Sequence, residues 1–128
     1  MVDNYLIPEG TVMKANGDGE AVAIGGAQNR VFLLGLKIAE VVEQESLDVS
    51  IYASVDGQAW EAKPVMKFPQ HFYAGESPML LDLTGRPEVK WVRAHWEVAR
   101  WGRGSEQPRF VASLRVREVS REVLGTRD

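Results

Sequence analysis

Two histidines, four tryptophans, a small cluster of carboxylates and a late run of arginines are the residues of this 128-residue chain that could do chemistry. His71 and His95 have no partner at metal-ligand spacing, so a surface or hydrogen-bonded imidazole is expected of each. No Gly-x-Ser-x-Gly elbow offers a serine nucleophile, and GDGEAVAIGG has glycines without the Lys-Ser/Thr of a phosphate loop. Glu43, Glu45 and Asp48 could supply paired carboxylates, the acid and base of a small hydrolase. They fall on a connection between apolar segments, where alternating charge reads first as a solvated surface. No residue is therefore assigned to catalysis, and the chain is expected not to be an enzyme.

Trp60, Trp91, Trp96 and Trp101 carry more information. Trp96 shares a parity with Val92, Ala94 and Val98 and is expected in the core. Trp91 takes the opposite parity, beside Lys90 and Arg93, and Trp101 stands at the rim of a glycine-containing loop. An exposed indole can anchor a protein interface or stack on a sugar, since its ring offers a large rigid contact area. Arginine side chains could equally cover these rings by cation–π contact, and the residues leave both readings open.

Charge points the same way. Residues 1–64 hold 10 acids and 4 bases (−6), whereas residues 65–128 hold 8 acids and 11 bases (+3), together giving the net −3. Arg93, Arg100, Arg103, Arg109, Arg115, Arg117 and Arg121 concentrate late. Arginine suits protein interfaces because its planar fork pairs bidentately with carboxylates. Trp91, Arg93, Trp101, Arg103, Arg115 and Arg117 are thus the candidate interaction residues, and Tyr73, Trp91 and Trp101 the alternative sugar-stacking set.

The elements that would position these residues are short. Turn signals recur every 8–12 residues or so, and apolar residues alternate between them. Leu47, Val49, Ile51 and Ala53 alternate cleanly with polar neighbours, and Asp56-Gly57 follows as a tight-turn pair. Phe32, Leu34, Leu36 and Ile38 share one face of the most apolar stretch, while Val31 and Leu33 suggest cover on its other face. Val92, Ala94, Trp96 and Val98 form another such row, as do Phe110, Ala112, Leu114 and Val116. Further strands are expected within 11–15, 20–25, 65–68, 70–73 and 79–83. Eight or nine strands in one domain predict an all-β antiparallel sandwich with jelly-roll topology. Residues 1–10 read as an N-terminal arm, 41–46 as a single helical turn, and 119–128 as a tail that could form a short amphipathic helix.

Composition bounds the partners. An apolar share of 45% supports a packed core, and the absence of cysteine excludes disulfides and thiolate metal sites. A pI near 5.4 gives no electrostatic case for nucleic acid. Val31-Phe32-Leu33-Leu34 is far shorter than the roughly 20 residues of a membrane span. Residues 1–10 lack the basic and apolar regions of a signal peptide, so a cytoplasmic location is the default, with export or incorporation into an assembly left open.

YASVDGQAW (residues 52–60), followed some thirty residues later by VKWVRAHW (89–96), resembles discoidin, or coagulation factor 5/8 type C, domains, which are galactose-binding-like jelly rolls. The same strand–turn–Trp pattern is similar to β-sandwiches of phage virion proteins. The likeness covers residues 47–98 and departs from the discoidin pattern in having no cysteine pair. It implies that the Asp-Gly turn and Trp60 pack the sandwich and that ligands bind in loops at one end. It also raises a structural calcium, for which Asp18, Glu20 or Asp56 could give oxygens. These carboxylates are too dispersed to assign a metal, and no cofactor is expected. The expected function is protein–protein contact, as a homo-oligomer or a repeating virion-like or filament subunit. A carbohydrate-binding module and a small hydrolase are the alternatives.

Overall fold

A computed structural model describes residues 1–42, 44–101 and 108–120, which form nine strands and no helix. In chain order these are β1 (Asp3–Met13), β2 (Gly17–Asp18), β3 (Val22–Ala23), β4 (Val31–Val41), β5 (Glu45–Ser54), β6 (Met66–Lys67), β7 (Gly75–Asp82), β8 (Trp91–Arg100) and β9 (Phe110–Glu118). Two antiparallel sheets pack face to face: one runs β1-β9-β4-β7, the other β2-β8-β5-β6, with β3 pairing on β8 beyond β2. The chain is an all-β sandwich.

Period-two alternation builds its core. Phe32, Leu34, Leu36 and Ile38 of β4 and Phe110, Ala112, Leu114 and Val116 of β9 point inward from one sheet. They meet Leu47, Val49, Ile51 and Ala53 of β5 and Val92 and Ala94 of β8 from the other. All are buried, and each large aliphatic or aromatic side chain contributes about 1.5–3 kcal/mol by leaving water. Residues 61–71 run beside β5 through backbone bonds from Glu61 to Ala53, Val65 to Ile51, Phe68 to Val49 and His71 to Leu47. This flank explains why β5 is covered along its whole length.

Buried polar groups close the two ends. Glu45, 1% exposed, accepts hydrogen bonds from the amides of Val42 (2.7 Å) and Arg109 (2.8 Å), tying the β4–β5 connection to the start of β9. Glu118, also buried, accepts from the amides of Val2 (3.0 Å) and Asn29 (2.9 Å) at the other end of β9. Arg30 donates to the carbonyl oxygens of Ile24, Arg86 and Val89, tying the β3–β4 connection to the β7–β8 connection. Such bonds satisfy backbone groups that the sheets leave unpaired.

Several expectations change. Residues 3–10 are not an arm: they pair with β9 as most of β1, with register shifts on either side of Ile7. No helical turn forms at 41–46, because β4 runs to Val41, β5 starts at Glu45, and Gln44 sits at φ 61° between them. Of 70–73, only an isolated bridge from His71 to Leu47 is sheet-like. Val31 and Leu33 lie half-buried on an outer face with no second layer over them. Of the tail expected over 119–128, Val119 and Ser120 are not helical, and the amide of Val119 donates to the carbonyl of Val31 (2.9 Å); residues 121–128 lie outside those described.

Candidate interaction surfaces

The six candidate interaction residues do not share one surface. Arg115 and Arg117 project from the outer face of the β1-β9-β4-β7 sheet, and Trp91 and Arg93 from the outer face of the other. Trp101 stands at the end of β8, about 33 Å of extended chain from Trp91. Arg103 lies outside the described residues. Period-two geometry placed each side chain on an outer face, but the topology puts those faces back to back.

On the first face, Asp3 holds Arg115 in a bidentate pair (2.7 and 2.8 Å), which keeps the carboxyl below its ordinary pKa and the guanidinium above its own. Gly35, at the centre of this sheet, floors a hollow of about 300 Å³ bounded by Tyr5, Leu33, Pro78 and Arg115. Leu80 stands exposed on the neighbouring strand.

On the second face, the guanidinium of Arg93 lies 4.5 Å from the centroid of Trp60. Trp60 is therefore not a core residue: it sits half-buried on the outer surface beneath Arg93. Trp91 is not freely exposed either. Its ring packs against Gly57, which has φ 81° in the Asp56-Gly57 turn, so that a Cβ there would come within 3.0 Å of the indole. The turn itself is held by Ser54 Oγ, which accepts from the amide of Gly57, and by Asp56 Oδ1, which accepts from the amides of Ala59 and Gln58. Those amide bonds hold the Asp56 carboxyl below its ordinary pKa. Trp96 is only half-buried at the core's margin, where its Nε1 donates to the carbonyl of Ala15 (3.1 Å).

His95 is a satisfied imidazole on the same face. Its Nδ1 lies 2.8 Å from Asp18 Oδ1 and its Nε2 3.2 Å from Glu97 Oε2. Burial works to lower its pKa, but the two carboxylates outweigh it and the pKa is raised. Glu97 shares the His95 face two residues along β8, whereas Asp18 was not legible as a partner, since it lies 77 positions away and becomes adjacent only through the β2–β8 pairing. No group of three His, Asp or Glu among the described residues is arranged to hold a metal. Asp18 is paired with His95, and Asp56 is occupied by its own turn.

The third surface is the end of the sandwich beside Glu45. Tyr73 and Trp101 come together there, joined by Phe72, which the sequence reading had not singled out. Phe72 meets Trp101 edge-on with centroids 6.1 Å apart and Tyr73 at 6.3 Å. With Val41, Val42 and Gln44 they line a recess of about 290 Å³. Tyr73 is 79% exposed, Trp101 48% and Phe72 40%. Trp91 is remote, so the three-ring sugar platform does not assemble. The carboxylate in this recess, Glu45, has both oxygens on backbone amides; Glu43 lies outside the described residues.

No family model, curated protein or solved structure matches this chain.

Proposed function

We propose that this protein is a non-catalytic, self-assembling interaction subunit that meets a second copy of itself through the aromatic end of the sandwich. The exposed cluster of Phe72, Tyr73 and Trp101 carries this reading. A soluble surface rarely keeps three adjacent aromatics in water without a partner, and aromatic residues are enriched where interfaces concentrate their energy. Among the described residues the recess exposes no charged group, because its one ionisable lining residue, Glu45, is buried with both oxygens on backbone amides. A patch that exposes no charge can meet its own copy with little repulsion, as a two-fold interface requires.

The jelly-roll reading is part of the same proposal. Its support is the strand order: β1, β4, β7 and β9 belong to one sheet, β2, β3, β5, β6 and β8 to the other, and β9 inserts between β1 and β4. Kinship with discoidin domains is supported by the Ser54-to-Ala59 turn, though Trp60 lies outside the sandwich that such a tryptophan would pack. Carbohydrate stacking is favoured less. The Phe72 ring makes angles of 57° with Tyr73 and 79° with Trp101, so these rings offer no flat platform.

Mass photometry and light scattering of the purified chain across protein and salt concentration test the assembly. A dimer or larger species is expected that persists in high salt, because apolar contacts are not screened. A Tyr73→Ser, Trp101→Ser double variant is expected to remain folded and become monomeric. A wild-type chain that stays monomeric at roughly millimolar concentration overturns the proposal.

A further inference from the structure

The second outer face holds a cleft of about 360 Å³ lined by Asp18, Tyr52, Trp60, Glu61, Arg93 and His95. Three of its charged groups are already matched. Asp18 is bonded to His95, His95 also to Glu97, and Glu61 to Arg86. Arg93 is the exception. Its guanidinium makes no hydrogen bond to any described residue, and its Nε is buried without a partner. A guanidinium carries five donors in one plane, and a buried donor left unpaired is costly to the fold. The guanidinium carbon stands over the Trp60 ring, 4.5 Å from its centroid, and both residues line the cleft.

We propose that this cleft binds a carboxylate, with the Arg93 guanidinium as its fork. The two oxygens of a carboxylate match the spacing of paired N–H donors on one guanidinium edge. Trp60 acts as a positioning residue: the ring holds the guanidinium plane by cation–π attraction, so little rotamer freedom remains to be lost on binding. Tyr52 stands opposite Arg93 in the β5–β8 register and lines the same cleft, where its hydroxyl supplies a further donor. Asp18 and Glu61 set the charge limit. Their carboxylates disfavour a dianion more than a monoanion, which selects a single carboxylate over a phosphate. The carboxylate can belong to a free organic acid or to the side chain of an acidic peptide.

Nuclear magnetic resonance of the ¹⁵N-labelled full chain reads this directly through the Arg93 Nε–H and Trp60 indole signals. Acetate, benzoate, a short amidated glutamate peptide and phosphate are titrated separately against chloride at equal ionic strength. A saturable shift of both signals with carboxylates, at roughly millimolar affinity, is expected, and a weaker response to phosphate. Arg93→Lys keeps the charge without the fork and is expected to weaken binding about tenfold, and Tyr52→Phe by a few-fold. Response to the free acids alone identifies a small-molecule site, and response to the peptide as well identifies a docking point for acidic side chains. Signals that do not move up to roughly 100 mM carboxylate, or move equally with chloride, overturn the proposal. If Arg93→Lys does not fold, Tyr52→Phe and the wild-type comparison with chloride decide it.

Discussion

The Glu118 carboxylate accepts hydrogen bonds from both the backbone amide and the side-chain amide of Asn29, 89 positions earlier in the chain (2.9 and 3.2 Å). The same carboxylate accepts the amide of Val2, so one buried side chain joins the start of β1, the approach to β4 and the end of β9. Glu118→Gln is expected to cost about 2–3 kcal/mol in urea unfolding, because an NH₂ group would then face either the amide of Val2 or the two donors of Asn29.

The same carboxylate gives the fold an acid limit. Burial works to raise the Glu118 pKa, but the bonds from Asn29 and Val2 prevail and lower it from its ordinary 4.5. A depressed folded pKa adds stability above the unfolded value, and that stability is lost as pH falls through the folded one. Wild-type stability should therefore decline below about pH 4.5, and Glu118→Gln should decline less steeply in that window, as urea midpoints at successive pH values would record.

His95 works in the opposite sense. Its pKa is raised above 6.5, so its contribution is complete below the unfolded value and is lost as pH rises through the folded one. His95→Gln should destabilise the protein at pH 5.5 and have a smaller effect at pH 8.5. The difference should stay within about 1 kcal/mol, because Asp18 and Glu97 are 45% and 62% exposed and water screens them.

Two glycines should respond oppositely to a methyl group. A Cβ on Gly19 would lie 2.2 Å from the carbonyl oxygen of Leu6, so Gly19→Ala must move backbone and is expected to cost more than about 3 kcal/mol. A Cβ on Gly35 meets nothing within 4 Å and its φ is not left-handed, so Gly35→Ala should be neutral or stabilise by up to about 1 kcal/mol. Thermal midpoints of the two variants check this, and equal losses would contradict it.

Glu45→Gln should cost about 2–3 kcal/mol, since it places an NH₂ group against the amide of Val42 or Arg109. Comparable unfolding midpoints for Glu45→Gln and wild type would show that the bracket between β4, β5 and β9 carries no such weight.

Much of the sandwich was legible because period two is a local property. The rows 32–38, 47–53 and 110–116 face inward as their alternation implied. What escaped is set by pairing across long sequence distances. Residues 3–10 have little strand character of their own and become β1 only against β9. Trp60 follows a turn, where no parity indicates its direction, and Arg93 decides its place. Phe72 carried no signal until Trp101 was brought beside it. A polar run such as 41–46 reads as helix on pattern alone, whereas the strands it joins demand a short reversal.

The position of β9 between β1 and β4 also dictates when this sheet can be completed. During synthesis β1 emerges first, yet its hydrogen-bonding partner is the last of the nine strands to leave the ribosome. Until then β1 presents an unsatisfied edge, and β4 can pair only with β7. Closure of the sheet must wait for the ninth strand, which implies slow, non-local folding and a window in which the nascent protein is most exposed to aggregation.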